Sequence, residues 1–558
     1  MKSRILTCTT ILLLVAALAT AAHAQISVLY NFGSKSGDPL NPQYSGIIAQ
    51  GRDGNLYSTA PKGGANGFGA VFKITPKGTL SVLYSFDGID GSSPTGGLTL
   101  GMDGNFYGTT TDGGTLGYGT IFKITPGGTL TTLYNFTGGA DGKAPTAPPI
   151  QGTDGNFYGT ASQGNGSTTY GSVYKIKPSG AFTVLHTFNG TDGANPYAPL
   201  VQGTDGNFYG TAGADLNAGI NGLGGTVFKI TPWGKLTGRL FFSYASSAGS
   251  NPFAPLIQGS DGNFYGTTVK GGTHFLGEVF ILPQYGCFVV GGISTCTLHS
   301  FAGASASTID GAHPYGGLVQ ASDGNLYGTT SLWTDTRGCG TFFRLTNPGG
   351  TNYQSLFTFG GPVCNPQVTL IQHTNGTLYG DSENGGIGGG TFFSINVALP
   401  PLAFVSLLPY SGKVGSTIEF LGQGFTSTSA VSFHGTAASR TVVSGTYLTA
   451  TVPNGATTGI VTVTTSGGKL NSNKIFRVIP QITSFSPTSG PVGTAVTITG
   501  VSLRQTTKVT FHGVKATSFT INSDTRVTAI VPTGALTGKI AITTPGGTAT
   551  SATSFTVA

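Results

Sequence analysis

One tripeptide, Asp-Gly-Asn, recurs at a nearly fixed interval, and this repetition limits the possible folds more than any other feature. The interval is close to fifty residues, with two longer steps in the middle of the array. A period of this size is typical of solenoids and propellers. The copies begin at Asp53, Asp103, Asp154, Asp205, Asp261 and Asp323, and a degraded seventh copy is Asn375-Gly376-Thr377.

Each repeat contains the pattern of four short strands. In residues 94–136, "GGLTLGM" and "FYGTT" flank the tripeptide, "TIFKIT" alternates apolar and polar residues, and "TLTTLYNF" follows a "PGG" turn. Asp, Gly and Asn tolerate the positive φ that a tight hairpin turn requires. Four antiparallel strands per repeat are the content of one β-propeller blade, so we expect an all-β propeller over residues 25–399.

The two ends of the array are complementary. Residues 26–32, "ISVLYNF", match a fourth strand, whereas the last repeat stops after its third strand, "GTFFSI", at residues 390–395. We predict that these two segments pair in one sheet, which gives seven of each strand type. A seven-bladed ring closed in this way leaves no sheet edge at its seam.

The repeat motifs resemble those of the bacterial GloVer-type tandem-repeat proteins. The matching signatures include "GTVFKI" at Gly225 to Ile230 and "DGNFYGT" at Asp205 to Thr211. The resemblance extends from residue 26 to about 397. It implies no activity, and although many members are named after varied C-terminal anchors, this sequence shows no such anchor.

A second, longer repeat follows Pro400-Pro401. "PYSGKVGSTIEFLGQGF" from Pro409 matches "PTSGPVGTAVTITGVSL" from Pro487, and "VSFHG" matches "VTFHG" further on. Short alternating strands with Gly and Pro turns indicate β-sandwiches. Both copies resemble immunoglobulin-like IPT/TIG domains, predicted at 402–479 and 480–558, although the second has Val501-Ser502-Leu503 where the first has Gly424-Phe425. The resemblance implies spacers or accessory binding modules.

The N-terminus has the organisation of a secretory signal peptide. Lys2 and Arg4 precede an apolar run from Ile11 to Ala19, and Ala22-His23-Ala24 is a cleavage site, so residues 1–24 are the predicted signal. We expect a secreted or cell-surface protein whose mature chain has no transmembrane segment. Cleavage takes the formal net charge from +7 to +5, and the basic residues do not cluster, so nucleic acid is a poor candidate partner.

Four cysteines remain after cleavage. An even number in an exported chain favours disulfides. We predict the pairs Cys287–Cys296, across a long turn, and Cys339–Cys364, by elimination; free buried thiols are the alternative.

The repeated turn is interpreted as scaffold. An Asp-Gly hairpin needs no functional explanation, and one carboxylate per turn is too few for a calcium site. Six of the seven first strands end in Gln, and Leu100 is the exception. We expect these amides to line the axis as a structural network that satisfies its own members or water; they are Gln50, Gln151, Gln202, Gln258, Gln320 and Gln372.

Binding residues are expected on the opposite rim. The loops there join the second strand to the third and the fourth strand to the next repeat, and they vary in length and content, as binding loops on a uniform scaffold do. Trp beside Asp and Arg suits stacking on a sugar ring with hydrogen bonds, although ordinary surface loops explain each residue as well. The candidates are Trp333, Asp335, Arg337, Asp381, Glu383, Asp215 and Asn217.

The sequence favours a non-catalytic protein. The H-E-x-x-H, G-x-S-x-G and C-x-x-C motifs are absent, so we predict no catalytic residue, metal or cofactor. The leading hypothesis is a secreted binding or scaffold protein that recognises an extracellular polysaccharide or a surface protein. The main rival is a polysaccharide lyase or glycoside hydrolase with its site at the propeller mouth, in which Asp381 and Glu383 would join Asp335 as general acid and base. A structural surface component is the third.

Overall fold

The regular structure of the chain is almost entirely β-strand. The computed structural model describes residues 24–43, 47–164, 169–213, 223–243, 249–283, 289–290, 293–294, 296–304, 309–334, 336–346, 352–397 and 403–558. Over these residues one 3₁₀ turn, Phe425–Ser427, accompanies the strands, which confirms the all-β class. In the same residues no helical segment has the length and apolar character needed to cross a membrane. The predicted signal segment lies outside them except for Ala24.

Seven four-stranded antiparallel sheets, here called units 1 to 7, are formed between residues 25 and 396. In each unit the first two strands flank the DGN turn, as predicted. The first strands are Ala49–Gln50, Thr99–Leu100, Ile150–Gln151, Val201–Gln202, Ile257–Gln258, Val319–Gln320 and Ile371–Gln372. The second strands are Leu56–Ala60, Phe106–Thr110, Phe157–Ala161, Phe208–Gly213, Phe264–Thr268, Leu326–Thr329 and Leu378–Ser382.

The third and fourth strands complete each sheet in chain order. The third strands are Ala70–Ile74, Thr120–Ile124, Ser172–Ile176, Leu223–Ile230, Glu278–Leu282, Thr341–Leu345 and Thr391–Asn396. The fourth strands are Leu80–Ser85, Leu130–Asn135, Phe182–Thr187, Leu236–Ser243, Thr297–Ser300, Tyr353–Thr358 and, for unit 7, Gln25–Asn31. Short accessory pairs are Pro39–Leu40 with Lys62–Gly63, Gly249–Ser250 with Lys270–Gly271, Val289–Val290 with Ile293–Ser294, and Gly303–Ala304 with Ile309–Gly311.

The N-terminal strand completes unit 7. It pairs antiparallel with the third strand of that unit from Gln25 opposite Asn396 to Asn31 opposite Thr391, which confirms the predicted pairing. A bulge skips Leu29 in this pair, as bulges skip Leu83 and Leu133 in units 1 and 2. The N-terminal segment therefore has the conformation of a fourth strand, including the bulge found in the fourth strands of units 1 and 2.

The repeated Phe-Tyr dipeptide joins consecutive units. The dipeptide begins the second strands of units 2 to 5, and the Tyr ring of each of units 1 to 4 stacks on the Phe ring of the next unit. The ring centroids are 4.0 Å apart for Tyr57 and Phe106 and 3.8 Å apart for Tyr107 and Phe157. Offset stacking of this kind adds to the burial of apolar area, so a dipeptide with a fifty-residue period stabilises contacts between units.

Two opposite faces follow from the strand order. The face with the DGN turns and the turns between third and fourth strands is called the turn face. The face with the loops from second to third strand and the connections from each fourth strand to the next unit is called the loop face. Of the binding residues predicted from sequence, Trp333, Arg337, Asp381 and Glu383 belong to the loop-face side of their units, whereas Asp215, Asn217 and Asp335 lie outside the described residues.

The C-terminal residues form two modules with corresponding sheets. The strands of the first module are Ser406–Leu408, Ser411–Gly412, Thr417–Leu421, Ala430–Phe433, Thr436–Ala437, Arg440–Val442, Tyr447–Thr451, Val461–Thr465, Gly468–Asn471 and Arg477–Val478. Those of the second are Gln481–Ser486, Ser489–Gly490, Ala495–Val501, Lys508–Phe511, Val514–Lys515, Phe519–Ser523, Arg526–Ile530, Gly538–Thr544 and Gly547–Val557. Each module has its own apolar core. Leu503 is fully buried in the second core, so the Val501-Ser502-Leu503 departure keeps an apolar side chain inside.

The first module packs on the turn face. Arg52, in the DGN turn of unit 1, forms an ion pair with Glu419 and lies over the ring of Tyr447 at 4.9 Å. Leu421 is buried in one apolar cluster with Leu100 of unit 2. Leu100 is the exception in the row of glutamines, and this contact explains it, because an apolar partner covers that position.

Candidate functional site

The DGN turns are internally satisfied. The Asp103 carboxylate accepts hydrogen bonds from the backbone N–H of Asn105 at 3.1 Å, its side-chain amide at 2.7 Å and the Tyr107 hydroxyl at 2.8 Å. Burial raises the pKa of Asp103, but these hydrogen bonds outweigh it and the pKa is lowered overall. The same set of bonds recurs in units 1 to 6, which supports the interpretation of the turn as scaffold.

The first-strand glutamines bind neighbouring backbone and not one another. The Gln151 side-chain oxygen accepts the backbone N–H of Met102 in the preceding unit at 2.8 Å, and its amide donates to the carbonyl of Gly155 at 3.0 Å. The Gln50 side-chain oxygen accepts the backbone N–H of Thr374 in the same way at 3.0 Å. This series of hydrogen bonds between consecutive units therefore includes one between unit 7 and unit 1. The amides are structural, as expected, but their partners are turn backbone and hydroxyl groups. The other four bonds of this kind are made by Gln202, Gln258, Gln320 and Gln372.

On the loop face, an aspartate clasps most of the connections between units. In the connection after unit 2, Asp141 accepts the hydroxyl of Tyr134 at 3.0 Å and the backbone N–H of Thr137 at 2.7 Å. Tyr30, Tyr84, His186 and His299 are bonded to an Asp in the equivalent way. The two fourth strands that carry Leu240 and Phe357 at this position lack the pair in the described residues. After Phe357 the connection is instead held by the Cys339–Cys364 disulfide, whose Cα atoms are 4.2 Å apart.

The disulfide confirms the second predicted cysteine pair. Of the first pair, Cys296 is buried and disulfide-bonded, whereas Cys287 lies outside the described residues. The pairing Cys287–Cys296 therefore stays a prediction.

Every connection then passes through a left-handed residue and a proline. The residue before the proline has φ between 51° and 58° in all seven connections, and its backbone N–H donates to the carbonyl of the preceding unit's loop. Left-handed backbone is rare outside glycine, so the same unusual turn is fixed seven times. These residues are Asn41, Ser93, Ala144, Asn195, Asn251, His313 and Asn365.

The residue after each proline is here called the inner residue. All seven inner residues are half-buried, and their backbone geometry is held constant while their chemistry changes around the array. Successive connections touch: the Thr95 hydroxyl donates to the Thr146 carbonyl at 3.2 Å, and the Thr146 hydroxyl donates to the Tyr197 carbonyl at 2.9 Å. The inner residues of units 1 to 7 are Gln43, Thr95, Thr146, Tyr197, Phe253, Tyr315 and Gln367.

Three consecutive inner residues form an aromatic arc. The ring centroids of Tyr197 and Phe253 are 5.1 Å apart, and those of Phe253 and Tyr315 are 6.4 Å apart with planes within 5° of each other. The half-buried rings leave part of their apolar surface accessible on the loop face. These three residues were not predicted from sequence, although "NPYAP", "NPFAP" and "HPYGG" at one position of the repeat are a signal that could have indicated them.

The row of the seven inner residues is here called the inner edge. Glu383 forms hydrogen bonds with two of its polar residues. Its carboxylate accepts the side-chain amides of Gln367 at 2.7 Å and Gln43 at 2.8 Å. Burial raises the pKa of Glu383, and the charge of Lys62 and the Gln43 amide partly oppose that rise. The structure thus brings one sequence-predicted residue to the inner edge, between the inner residues of units 7 and 1.

Asp381 lies beneath this edge. It is 1% exposed, and neither carboxyl oxygen has a hydrogen-bond partner. Burial raises the pKa of Asp381 to about 8. Asp381 occupies the place of a threonine in the other units, and Thr109, for example, donates from this place to the next connection, to the Ala147 carbonyl at 3.1 Å. Asp381 thus occupies the position from which Thr109 bonds to the next connection, but its own carboxyl group makes no such bond.

The loop of unit 6 is largely folded on itself. The Trp333 ring nitrogen donates to the Gly340 carbonyl at 2.9 Å, and the Arg337 carbonyl accepts the backbone N–H groups of Trp333 and Thr334. Trp333 is half-buried and Arg337 is exposed. Asp335, Asp215 and Asn217 lie outside the described residues, so their part in a site stays a prediction. Where the structure describes the chain, it has no group of three or more His, Cys, Asp and Glu side chains that could hold a metal.

Comparison with known proteins identifies the repeat. Residues 17–164, 128–290 and 224–446 match the model of the Gloeobacter/Verrucomicrobia repeat. The chain belongs to this repeat family. Residues 480–557 match the IPT/TIG domain, so both predicted resemblances are confirmed, the second for the second module. Among curated proteins, none matches the sequence.

Solved structures similar to this member of the repeat family are distant. A fungal alcohol oxidase of the AA5 family in complex with copper has 13% identity and a TM-score of 0.42 over 96% of this chain and 99% of its own. The periplasmic gluconolactonase of Pseudomonas aeruginosa has 16% identity and a TM-score of 0.39 over 62% and 99%. A surface glycan-binding protein of Prevotella bryantii has 20% identity and a TM-score of 0.21 over 26% and 38%. At these values the likenesses carry no inference about function.

Proposed function

We propose that this protein binds an extracellular polysaccharide at the inner edge of its loop face and does no chemistry on it. The observation that carries the proposal is the aromatic arc of Tyr197, Phe253 and Tyr315. Sugar rings present apolar C–H faces that pack on aromatic rings, while their hydroxyls need hydrogen-bonding partners. A site with aromatic walls and a few placed polar groups is the usual composition of a ligand site.

Polar groups for the hydroxyls stand on the same edge. The amides of Gln43 and Gln367 and the carboxylate of Glu383 already form one hydrogen-bonded group, which holds them in fixed positions before a ligand arrives. Preorganisation of this kind reduces the entropy lost on binding. The ligand therefore stacks on one part of the edge and bonds to the other.

The proposal includes the larger architecture. We take the seven units as the blades of one closed seven-bladed propeller, over residues 25–399, and the two modules as IPT/TIG sandwiches at 402–479 and 480–558. The contacts from unit 7 back to unit 1 support closure. A signal peptide at 1–24 would export the protein, and the Cys339–Cys364 disulfide suits an oxidising compartment.

Affinity electrophoresis tests the binding. The full chain is run through native gels that contain xyloglucan, mixed-linkage β-glucan, glucomannan, pectin or dextran, and a retarding polymer is then titrated by calorimetry. We expect Phe253→Ala and Tyr315→Ala to weaken binding roughly five- to thirtyfold, because aromatic anchors dominate such interfaces. The matched control is Trp233→Ala, since Trp233 is 75% exposed on the turn face.

Comparison of the variants shows whether the polymer binds the loop face or the turn face. Loss of retardation in Trp233→Ala with normal retardation in both arc variants would mean that the turn face is the binding surface. Retardation by no polymer would remove the polysaccharide proposal and leave a surface protein or a purely structural role.

A carbohydrate-active enzyme is the second candidate. It is favoured by one observation, the raised pKa of the buried Asp381, because a general acid must hold its proton at neutral pH. Asp381 lies in the second strand of unit 7, Leu378–Ser382, and Glu383 directly follows that strand, so the two carboxyl groups are close in the chain. Release of reducing ends or of unsaturated products from the retarding polymer, lost in Asp381→Asn, would establish this function.

A further inference from the structure

The loop of unit 5 places a phenylalanine in a backbone conformation that its repeats give to glycine. Phe275 has φ 61°, whereas Gly67 and Gly117 have φ 81° and 80° at the same point of units 1 and 2. The equivalence is set by hydrogen bonds, since the backbone N–H of Phe275 donates to Gly272 as that of Gly117 donates to Gly114, both at 3.2 Å. A bulky side chain in the left-handed region is a genuine outlier.

The free protein gains nothing visible from this residue. The Phe275 side chain is 65% exposed, so it contributes little apolar burial in exchange for the strained backbone. Glycine would occupy the position without strain. Strain that the fold does not need is concentrated at ligand contacts and functional loops, and an exposed aromatic ring is a suitable group for such a contact.

Phe275 stands next to the aromatic arc. The carbonyl of the following residue, Leu276, accepts the backbone N–H of His313 at 2.9 Å, and Tyr315 is the second residue after His313. Phe275 is therefore linked to the arc residue Tyr315 through Leu276 and a single backbone hydrogen bond to His313. Phe275 lies in the loop between the second and third strands of unit 5, on the loop face, and is not one of the inner residues.

We infer that Phe275 is an outer stacking position for the same polysaccharide chain, so that the ligand is an extended chain and neither a monosaccharide nor a disaccharide. The inference rests on the proposed function, because it extends the site that begins at Phe253 and Tyr315. A chain that runs radially across unit 5 would use the inner rings for some sugar residues and Phe275 for a later one. Short fragments would reach only the inner rings.

The variant Phe275→Gly separates this role from a structural one. We expect its melting temperature to be equal to or higher than that of the wild type, because the strained backbone is relieved. Binding of the retarding polymer should weaken roughly fivefold or more, the effect of losing an aromatic anchor, while binding of the disaccharide of that polymer should not change. The matched control is Leu116→Ala, which removes an exposed side chain from the corresponding loop of unit 2 and should leave both affinities unchanged.

Each result has one meaning. Normal polymer binding by Phe275→Gly together with weakened binding by Phe253→Ala overturns the outer position and keeps the proposed function. Normal binding by both variants overturns both. An equal loss of polymer and disaccharide binding in Phe275→Gly overturns the inference as well, because the ring would then belong to the inner site or shape it.

Discussion

At the scale of single residues, Asp381 is the clearest departure from the repeat. A threonine at this place needs no ionisation to make its hydrogen bond, as Thr160 shows by donating to the Ala198 carbonyl at 3.2 Å. A buried carboxyl without partners must stay protonated or be desolvated as an anion, and the second is expensive. Burial raises the pKa of Asp381 to about 8, which means that the protonated form is favoured at neutral pH.

A pH dependence of stability follows from Asp381. Burial raises its pKa from the ordinary aspartate value of 3.8 to about 8 in the folded protein, so the folded state binds more protons than the unfolded state between these values. Stability is therefore highest below the lower pKa and falls as pH rises through the upper one. We expect Asp381→Thr to raise the free energy of unfolding, and by about 4 kcal/mol more at pH 8.5 than at pH 5, because about three pH units separate pH 5 from the upper pKa at about 1.4 kcal/mol each.

Urea denaturation at the two pH values measures this difference. Asp381→Asn serves as a neutral variant of similar shape and should also lose the pH dependence. Burial raises the pKa of Glu278 to about 7, and this residue affects all three proteins alike. Equal pH dependence in the wild type and both variants would show that Asp381 does not carry it.

The sequence predicted that Asp381 lies on the loop side of unit 7, but it did not predict that the side chain is buried. Burial depends on the neighbouring unit, which lies more than three hundred residues away in the chain. The reason for Trp333 is local, because its ring nitrogen donates to the carbonyl of Gly340 in the same loop, and no periodic pattern in the sequence indicates that bond. The aromatic arc could have been predicted from the sequence, because its three residues share one position of the repeat.

At the scale of elements, the disulfide replaces the aspartate clasp of one connection. Tyr134 and Asp141 hold the connection after unit 2 by a hydrogen bond, whereas the connection after unit 6 has Phe357 and the Cys339–Cys364 bond. Both devices fix the start of a connection so that the proline and the inner residue after it are placed correctly. The sequence indicated the strands and turns, because these depend on local periodicity, but not the clasp, because its Asp follows the strand residue at a spacing that varies from 6 to 11 residues.

The two devices should differ in strength. The disulfide spans 25 residues, and removing it with Cys364→Ser should lower the free energy of unfolding by about 3 kcal/mol, mainly because the unfolded chain gains freedom. Tyr134→Phe should lower it by only about 1 kcal/mol, the usual value of one hydrogen bond. Urea unfolding of both variants measures the contrast, and a Cys364→Ser protein as stable as the wild type would show that the bridge does not hold this connection.

At the scale of the whole molecule, the N-terminal strand and the first C-terminal module each break the equivalence of the units. The module covers Leu100 and Arg52 on the turn face, and the loop face points the other way. The sequence marked Leu100 as an exception without giving its reason, because the partner Leu421 belongs to a different repeat system. The pairing of the chain ends was predictable, since the missing and the extra strand are both visible in the sequence.

Deletion of residues 25–33 tests the closure. It removes the fourth strand of unit 7 and leaves the third strand, Thr391–Asn396, as an open edge. We expect the melting temperature to fall by at least about 5 °C. A synthetic peptide of residues 25–32 should restore part of the loss and a scrambled peptide should not; an unchanged melting temperature in the deleted protein would rule out the closure.

The pairing between the two ends of the array also determines when the first strand can fold during biosynthesis. Gln25 is synthesised before the rest of the array and its partner Asn396 near the end of the array, so the first strand cannot pair until the whole array has been made. At roughly 5–20 residues per second, the wait is roughly 20 to 75 s. During that interval both ends of the growing array are unpaired strand edges, which favour intermolecular association. Protection of the nascent chain is therefore a requirement of this topology.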